Sequence, residues 1–179
     1  MQKSKIYLFQ GKGVTVDGIW HRGSLWQQEG VSYIQGQNNQ GIDWRYEVDT
    51  DTVGQYVNRD DIVGDPIFEG DLIHAVLPEW VTEYMDEEGK DIYYPEKHII
   101  GEVVVRVSGG LGMKIRAIIT CMIEGCPEPP DKDDNKIIGS FIRIKNRDKI
   151  IGNIHESKIE ELAAVILSNI KKGEPDAKD

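Results

Sequence analysis

From Thr52 to Ile73 the chain switches repeatedly between short apolar runs and turn residues, and this limits what it can fold into. Thr52-Val53-Gly54-Gln55-Tyr56 is followed by a polar connection from Val57 to Asp65, and then by Pro66-Ile67-Phe68. Glu69-Gly70-Asp71 forms a second tight turn that delivers the chain into Leu72-Ile73. Short apolar runs separated in this way suit small antiparallel β structure, with glycine supplying the positive φ that side chains resist.

The same grammar recurs on both sides. Residues 4–9 read as a first strand, and residues 17–26 as a second with a bulge at Gly23. Val31 to Gln35 alternates as a half-buried strand does, and Trp44 to Val48 places Trp44, Tyr46 and Val48 on one face and Arg45 and Glu47 on the other. His98 to Val107 and Met113 to Met122 form an antiparallel hairpin turned by Ser108-Gly109-Gly110, and Ile137 to Ile144 adds a further strand. Between them, residues 78–97 are acidic with Tyr84, Tyr93 and Tyr94 interleaved, which reads as an inserted hairpin. The end of the chain changes period. Ser157-Lys158-Ile159-Glu160 resembles a capping box, and Ile159, Leu162, Ala163, Ile166 and Ile170 follow at helical spacing. The fold class expected is therefore mainly β (α+β). It comprises an N-terminal β arm or subdomain over residues 1–50 and a β domain over 51–179, which ends in an amphipathic helix at 157–172.

Composition narrows the function classes. Hydrophobic residues make up 39% of the chain, and no apolar run approaches the roughly 18 residues of a membrane-spanning helix. The apolar part of the N-terminus, Ile6 to Phe9, is too short for a secretory signal, so a cytoplasmic protein with no membrane partner is expected. The formal net charge of −10 disfavours direct nucleic-acid binding, which needs clustered Lys and Arg. Cys121 and Cys126 read as free thiols. A zinc site needs about four ligands, and none of His21, His74, His98 and His155 is close to them in sequence.

Several constellations carry two readings. Glu69 and Asp71, with Asp60, Asp61 and Asp65 nearby, have the residue types of a metal or general-acid cluster. Gly70 between them favours a turn in which Asp71 braces neighbouring amides. Gly109-Gly110-Leu111-Gly112-Met113-Lys114 has the glycines of a phosphate loop but opens a strand, so it reads as a hairpin turn. Gln55 and Asn153 suit the satisfaction of buried backbone groups, while a ligand groove would be lined by Tyr56, Trp20 and Trp44. Tyr84 and Tyr93 are the interaction candidates of the acidic segment, because interfaces use aromatics. No serine has a nucleophile's context, and no cofactor is expected.

The central stretch also carries a likeness. Thr52 to Tyr56 and Ile67 to Ile73 resemble, in order, the signature of the YopX family, encoded largely by phages and prophages. Ile151-Gly152-Asn153-Ile154-His155-Glu156 resembles that family's closing motif, with His155 where an aromatic residue stands. Phe9 to Lys12 and Gly18 to Leu25 are similar to the start of one branch. Asp60-Asp61-Ile62-Val63-Gly64 departs from the family's Asp-Lys-Asn-Gly turn. The resemblance implies a mostly β, barrel-like domain and an oligomer, with Gly54, Glu69, Gly70, Asp71, Gly152 and Asn153 as motif positions. It implies no catalytic residue. The expectation for function is a phage-derived binding or assembly module that self-associates or meets a host or phage protein. The alternatives are a metal-dependent, nucleic-acid-processing enzyme using the carboxylates from Asp60 to Asp71, or an acidic decoy of a host nucleic-acid-binding protein.

Overall fold

The computed structural model describes residues 8–15, 18–38, 40–77, 97–105, 111–120, 138–139, 141–145 and 147–171, which divide into compact units over Met1–Gly70 and Asp71–Asp179. The protein is mostly β, with two antiparallel sheets and one α-helix. The N-terminal unit carries β1 (Phe9–Lys12), β2 (Trp20–Gln28), β3 (Val31–Gln37), β4 (Asp43–Val48), β5 (Gly54–Asp60) and β6 (Pro66–Phe68), ordered β4-β3-β2-β1-β5-β6 across its sheet. Gln28 pairs with Val31, leaving the two-residue turn Glu29-Gly30 with φ of 53° and 84°. Two successive positive φ values match the turn that follows the natural twist of a hairpin, and they set the register of β2 on β3. β4 curls back toward β1, so that Val48 bridges Gly13, Val14 N–H donates to the Glu47 carbonyl (3.2 Å) and Asp49 N–H to the Lys12 carbonyl (2.8 Å). Ile34, Val48, Ile67 and Phe68 are buried in this unit.

In the C-terminal unit β7 (Asp71–Leu77), β8 (Lys97–Val105), β9 (Leu111–Thr120), β10 (Phe141–Ile142) and β11 (Lys149–Asn153) assemble in the order β10-β9-β8-β7-β11. One face buries Leu72, Ile100 and Ile119 under α1 (Ile159–Lys171), which contributes Ile159, Leu162, Ala163, Ile166, Leu167 and Ile170. The alternate residues Ile73, Ile99, Val103, Met113 and Ile115 are also fully buried. A sheet covered on both faces reads as nearly continuous apolar sequence, which explains the run from Ile115 to Ile119.

Several expectations change. Both sheets are open among the described residues, bounded by β4 and β6 and by β10 and β11, and no closed barrel forms. β1 pairs with β5 through Phe9–Gln55 and Gln10–Gly54, so β5 and β6 join the strands of residues 1–50 in one unit. β2 runs regularly through Gly23, which pairs with Phe9; the irregularity lies in β5 between Tyr56 and Asp60, where Asn58 has φ 59°. The strand expected over 137–144 is only Phe141–Ile142, because Gly139 turns the chain at φ 87°. Ser157 does not form the capping box: its hydroxyl accepts from Asn153 N–H at 3.4 Å. The expected inserted hairpin, the Ser108-Gly109-Gly110 turn and both cysteines lie outside the described residues. No helix among the described residues is long and apolar enough to cross a membrane.

Candidate functional site

Register places chemistry on the two faces of the N-terminal sheet. Directly opposed residues share a face, so the pairs Trp26–Tyr33, Ser24–Gln35 and Gln35–Arg45 gather one set of side chains. The Arg45 guanidinium sits 4.6 Å from the Trp26 ring centre and 5.0 Å from that of Tyr33, and the two rings lie 5.2 Å apart. Arg22 lies 5.2 Å over Phe68, whose ring is 5.7 Å from Tyr56. A cation held over an aromatic ring at an exposed site contributes about 0.5–1 kcal/mol, enough to orient Arg45 without burying its donors. Trp26 and Tyr33 are half-buried and Arg45 is exposed, so the guanidinium and the two rings, tilted at 46° to each other, form a patch open to solvent. It offers stacking and hydrogen-bond donation; it holds no nucleophile or acid–base pair.

The other face carries Trp44, Tyr46 and His21. Tyr46 stacks on His21 with ring centres 4.0 Å apart and planes at 11°, and Trp44 lies 5.5 Å from Tyr46. His21 Nε2 is buried with no hydrogen-bond partner among the described residues, and that burial lowers the imidazole's pKa. Ile42 is 58% exposed and Tyr46 41%, so this apolar stripe reaches the outer edge of the sheet.

The residues expected to line a groove do not converge. Trp20 and Tyr56 fall on the face of Trp26, since Gln10 pairs with both Arg22 and Gly54. Trp44 and Gln55 fall on the opposite face, and Tyr84 and Tyr93 lie outside the described residues. The motif positions lie at turns and close approaches of the chain. A Cβ on Gly54 would overlap the Glu69 carbonyl oxygen, while Glu69 N–H donates to the Gln55 carbonyl at 2.9 Å. Gly70 turns the chain at φ 86°. Asp71 and Asn153 are both buried, and Asn153 Nδ2 donates to Asp71 Oδ1 at 3.1 Å. Asn153 Oδ1 accepts from His155 N–H, and the Asn153 carbonyl from Ser157 N–H at 2.9 Å. A Cβ on Gly152 would overlap the Ser157 hydroxyl.

Besides Asp71, two carboxylates of the central stretch, Asp60 and Asp61, have separate partners. Asp60 Oδ1 accepts a hydrogen bond from the Tyr56 hydroxyl at 2.9 Å; burial first, and then this bond and the Asp60 charge, raise the phenol's pKa. Asp61 Oδ1 accepts from Val63 and Asp65 N–H, each at 2.9 Å, and so closes the 61–65 turn. Among the described residues no group of three or more His, Cys, Asp or Glu side chains is placed to hold a metal ion.

Sequence reading missed the Trp26–Tyr33–Arg45 stack and, in the C-terminal unit, the buried pair His74 and His98, whose Nε2 and Nδ1 meet at 2.9 Å. The signal for the first was the shared parity of these residues once Glu29-Gly30 is taken as a two-residue turn. For the second it was the diagonal position of 74 and 98 on the paired strands β7 and β8. No family model, curated protein or solved structure matches the chain.

Proposed function

We propose that this chain is a binding or assembly module, not an enzyme, that acts in the cytoplasm and belongs to the phage-derived YopX lineage. The observation that carries the reading is the guanidinium–aromatic patch of Trp26, Tyr33 and Arg45, solvent-open on the face of a sheet. Aromatic residues and arginine are what protein interfaces concentrate, and an open patch on a sheet face suits a protein partner better than a small molecule, which takes a concave site. The ordered likeness of Thr52–Tyr56 and Ile67–Ile73 to the YopX signature supports the lineage. The Val48–Gly13 bridge supports a barrel-like closure of the first strands as the scaffold for that surface.

The test is association with and without the stack. Light scattering at tens of micromolar, with a pull-down from bacterial lysate, is expected to detect self-association or capture of a specific protein, and R45A with W26A to reduce it. A strictly monomeric chain that captures nothing, or a double variant that binds as the parent does, overturns the reading.

A further inference from the structure

The outer strand β4 is complementary to itself. It reads Asp43-Trp44-Arg45-Tyr46-Glu47-Val48, preceded by Ile42, and it bounds the N-terminal sheet. The phase of its backbone follows from its neighbours. The Ile42 carbonyl accepts from Asn38 N–H, on the β3 side, whereas the Glu47 carbonyl and Asp49 N–H point away from β3 to Val14 and Lys12. Even-numbered residues therefore bond inward, and the N–H and C=O groups of Asp43 and Arg45 face outward, where no described strand covers them. An exposed edge of this kind is a template for another strand.

We propose that two copies of this chain pair through β4, antiparallel about a two-fold axis at Trp44, so that Asp43 of each faces Arg45 of the other. The proposal rests on the assembly reading above and names its surface. Charge selects the register. Centred on Trp44, each Asp43 lies opposite an Arg45 on one face, where the carboxylate turns from Gln37 Nε2 and the guanidinium from Trp26 and Tyr33 to meet, and each exposed Ile42 lies opposite a Tyr46 on the other. Centred on Arg45, the strand would set Arg45 against Arg45 and Asp43 against Glu47; centred on Asp43, it would set Asp43 against itself. Opposite charges directly across an antiparallel pair stabilise it and like charges oppose it. Registers centred between residues would set outward-facing groups against inward-facing ones. The chosen register forms about four backbone hydrogen bonds, because each Asp43–Arg45 pair exchanges two. The bonds of Glu47 and Asp49 to Val14 and Lys12 are untouched. The Trp44 ring leaves the edge clear, since it lies across Gly36, where a Cβ would overlap it. A two-fold pairing buries the edge and closes, so growth stops at a dimer.

The test is charge exchange in the full chain, read by sedimentation equilibrium with circular dichroism as the check on folding. Wild type is expected to dimerise, and D43R and R45D each to weaken the dimer by about tenfold or more, because each sets like charges across both pairs. The double variant D43R/R45D restores opposite charges and is expected to recover the dimer. An equimolar mixture of D43R with R45D is expected to form a mixed dimer. In that mixture one chain carries arginine at both positions and the other aspartate at both, so each cross-strand pair joins opposite charges. A wild-type dimer equally unaffected in every variant overturns the β4 pairing while leaving assembly intact. So does failure of both the double variant and the mixture to recover association. A wild-type monomer removes self-assembly and this interface together.

Discussion

In the N-terminal unit the fully buried apolar side chains are few, chiefly Ile34, Ile67 and Phe68, whereas the C-terminal unit buries Leu72, Ile73, Ile99, Ile100, Val103, Met113 and Ile115 and covers one face with α1. The first unit relies on backbone fit: a two-residue turn at Glu29-Gly30, a bare Gly54 against the Glu69 carbonyl, and rings in contact at its surface. The second relies on apolar area removed from water, its strands packed with β-branched residues on both faces. The difference teaches where binding has room to evolve. The described core of the second unit is aliphatic, while the first, held by turns and close backbone approaches, leaves Trp26 and Tyr33 half-buried and Arg45 exposed.

The comparison can be broken or sharpened by substitution. Three of the four tryptophans, Trp20, Trp26 and Trp44, precede residue 70, so indole fluorescence reports mainly the N-terminal unit, and hydrogen exchange of β7 and β8 reports the other. The largest effect is expected from Leu72→Ala, which empties a fully buried site under α1 and should lower the stability of the C-terminal unit by about 2–5 kcal/mol. An equal shift of the fluorescence transition would show that the two units do not respond separately. Gly54→Ala acts on the first unit. Its Cβ meets a carbonyl rather than a flexible side chain, so the cost should reach about 3 kcal/mol, and a loss under ~1 kcal/mol in urea titrations would contradict the backbone-fit account.

Asn153→Ala should destabilise the C-terminal unit by about 1–3 kcal/mol, because it withdraws a donor from the buried Asp71 carboxylate; native exchange protection at β11 would count against this. The smallest effect concerns Tyr56. Its pKa is raised in the fold, so its contribution to stability is complete below the unfolded phenol's value of about 10 and is lost as pH rises through the higher folded value. Wild type should therefore lose more stability than Tyr56→Phe as pH is raised past 10. Parallel denaturation curves would remove the Tyr56–Asp60 bond from the account.

The mostly β character and the helix were legible because period-two alternation and helical spacing are local properties, as at Trp44–Val48 and Ile159–Ile170. Faces were not. Whether Trp20 and Trp44 share a side depends on registers passed through β1, β2 and β3, and the Glu29-Gly30 turn that sets one of them leaves only a faint sequence mark. β11 went unread as a strand because its register slips between Ile150 and Gly152, which breaks the alternation. The boundary at Gly70 was hidden because the pairing of β1 with β5 joins residues as distant in sequence as Phe9 and Gln55. The acids from Asp60 to Asp71 looked like a cluster only in one dimension; Asp60 takes a hydroxyl, Asp61 backbone amides and Asp71 a side-chain amide.

β7 opens the C-terminal sheet and lies beside β11, which comes last, and Asn153 ties the two through Asp71 across 82 positions. During synthesis the early strand must therefore wait with one flank bare until nearly the whole unit has left the ribosome, and only then can α1 settle on its apolar face. Such distant closure makes for slow maturation, and it gives a chaperone, or an impatient neighbouring copy, an interval in which to meet that waiting edge.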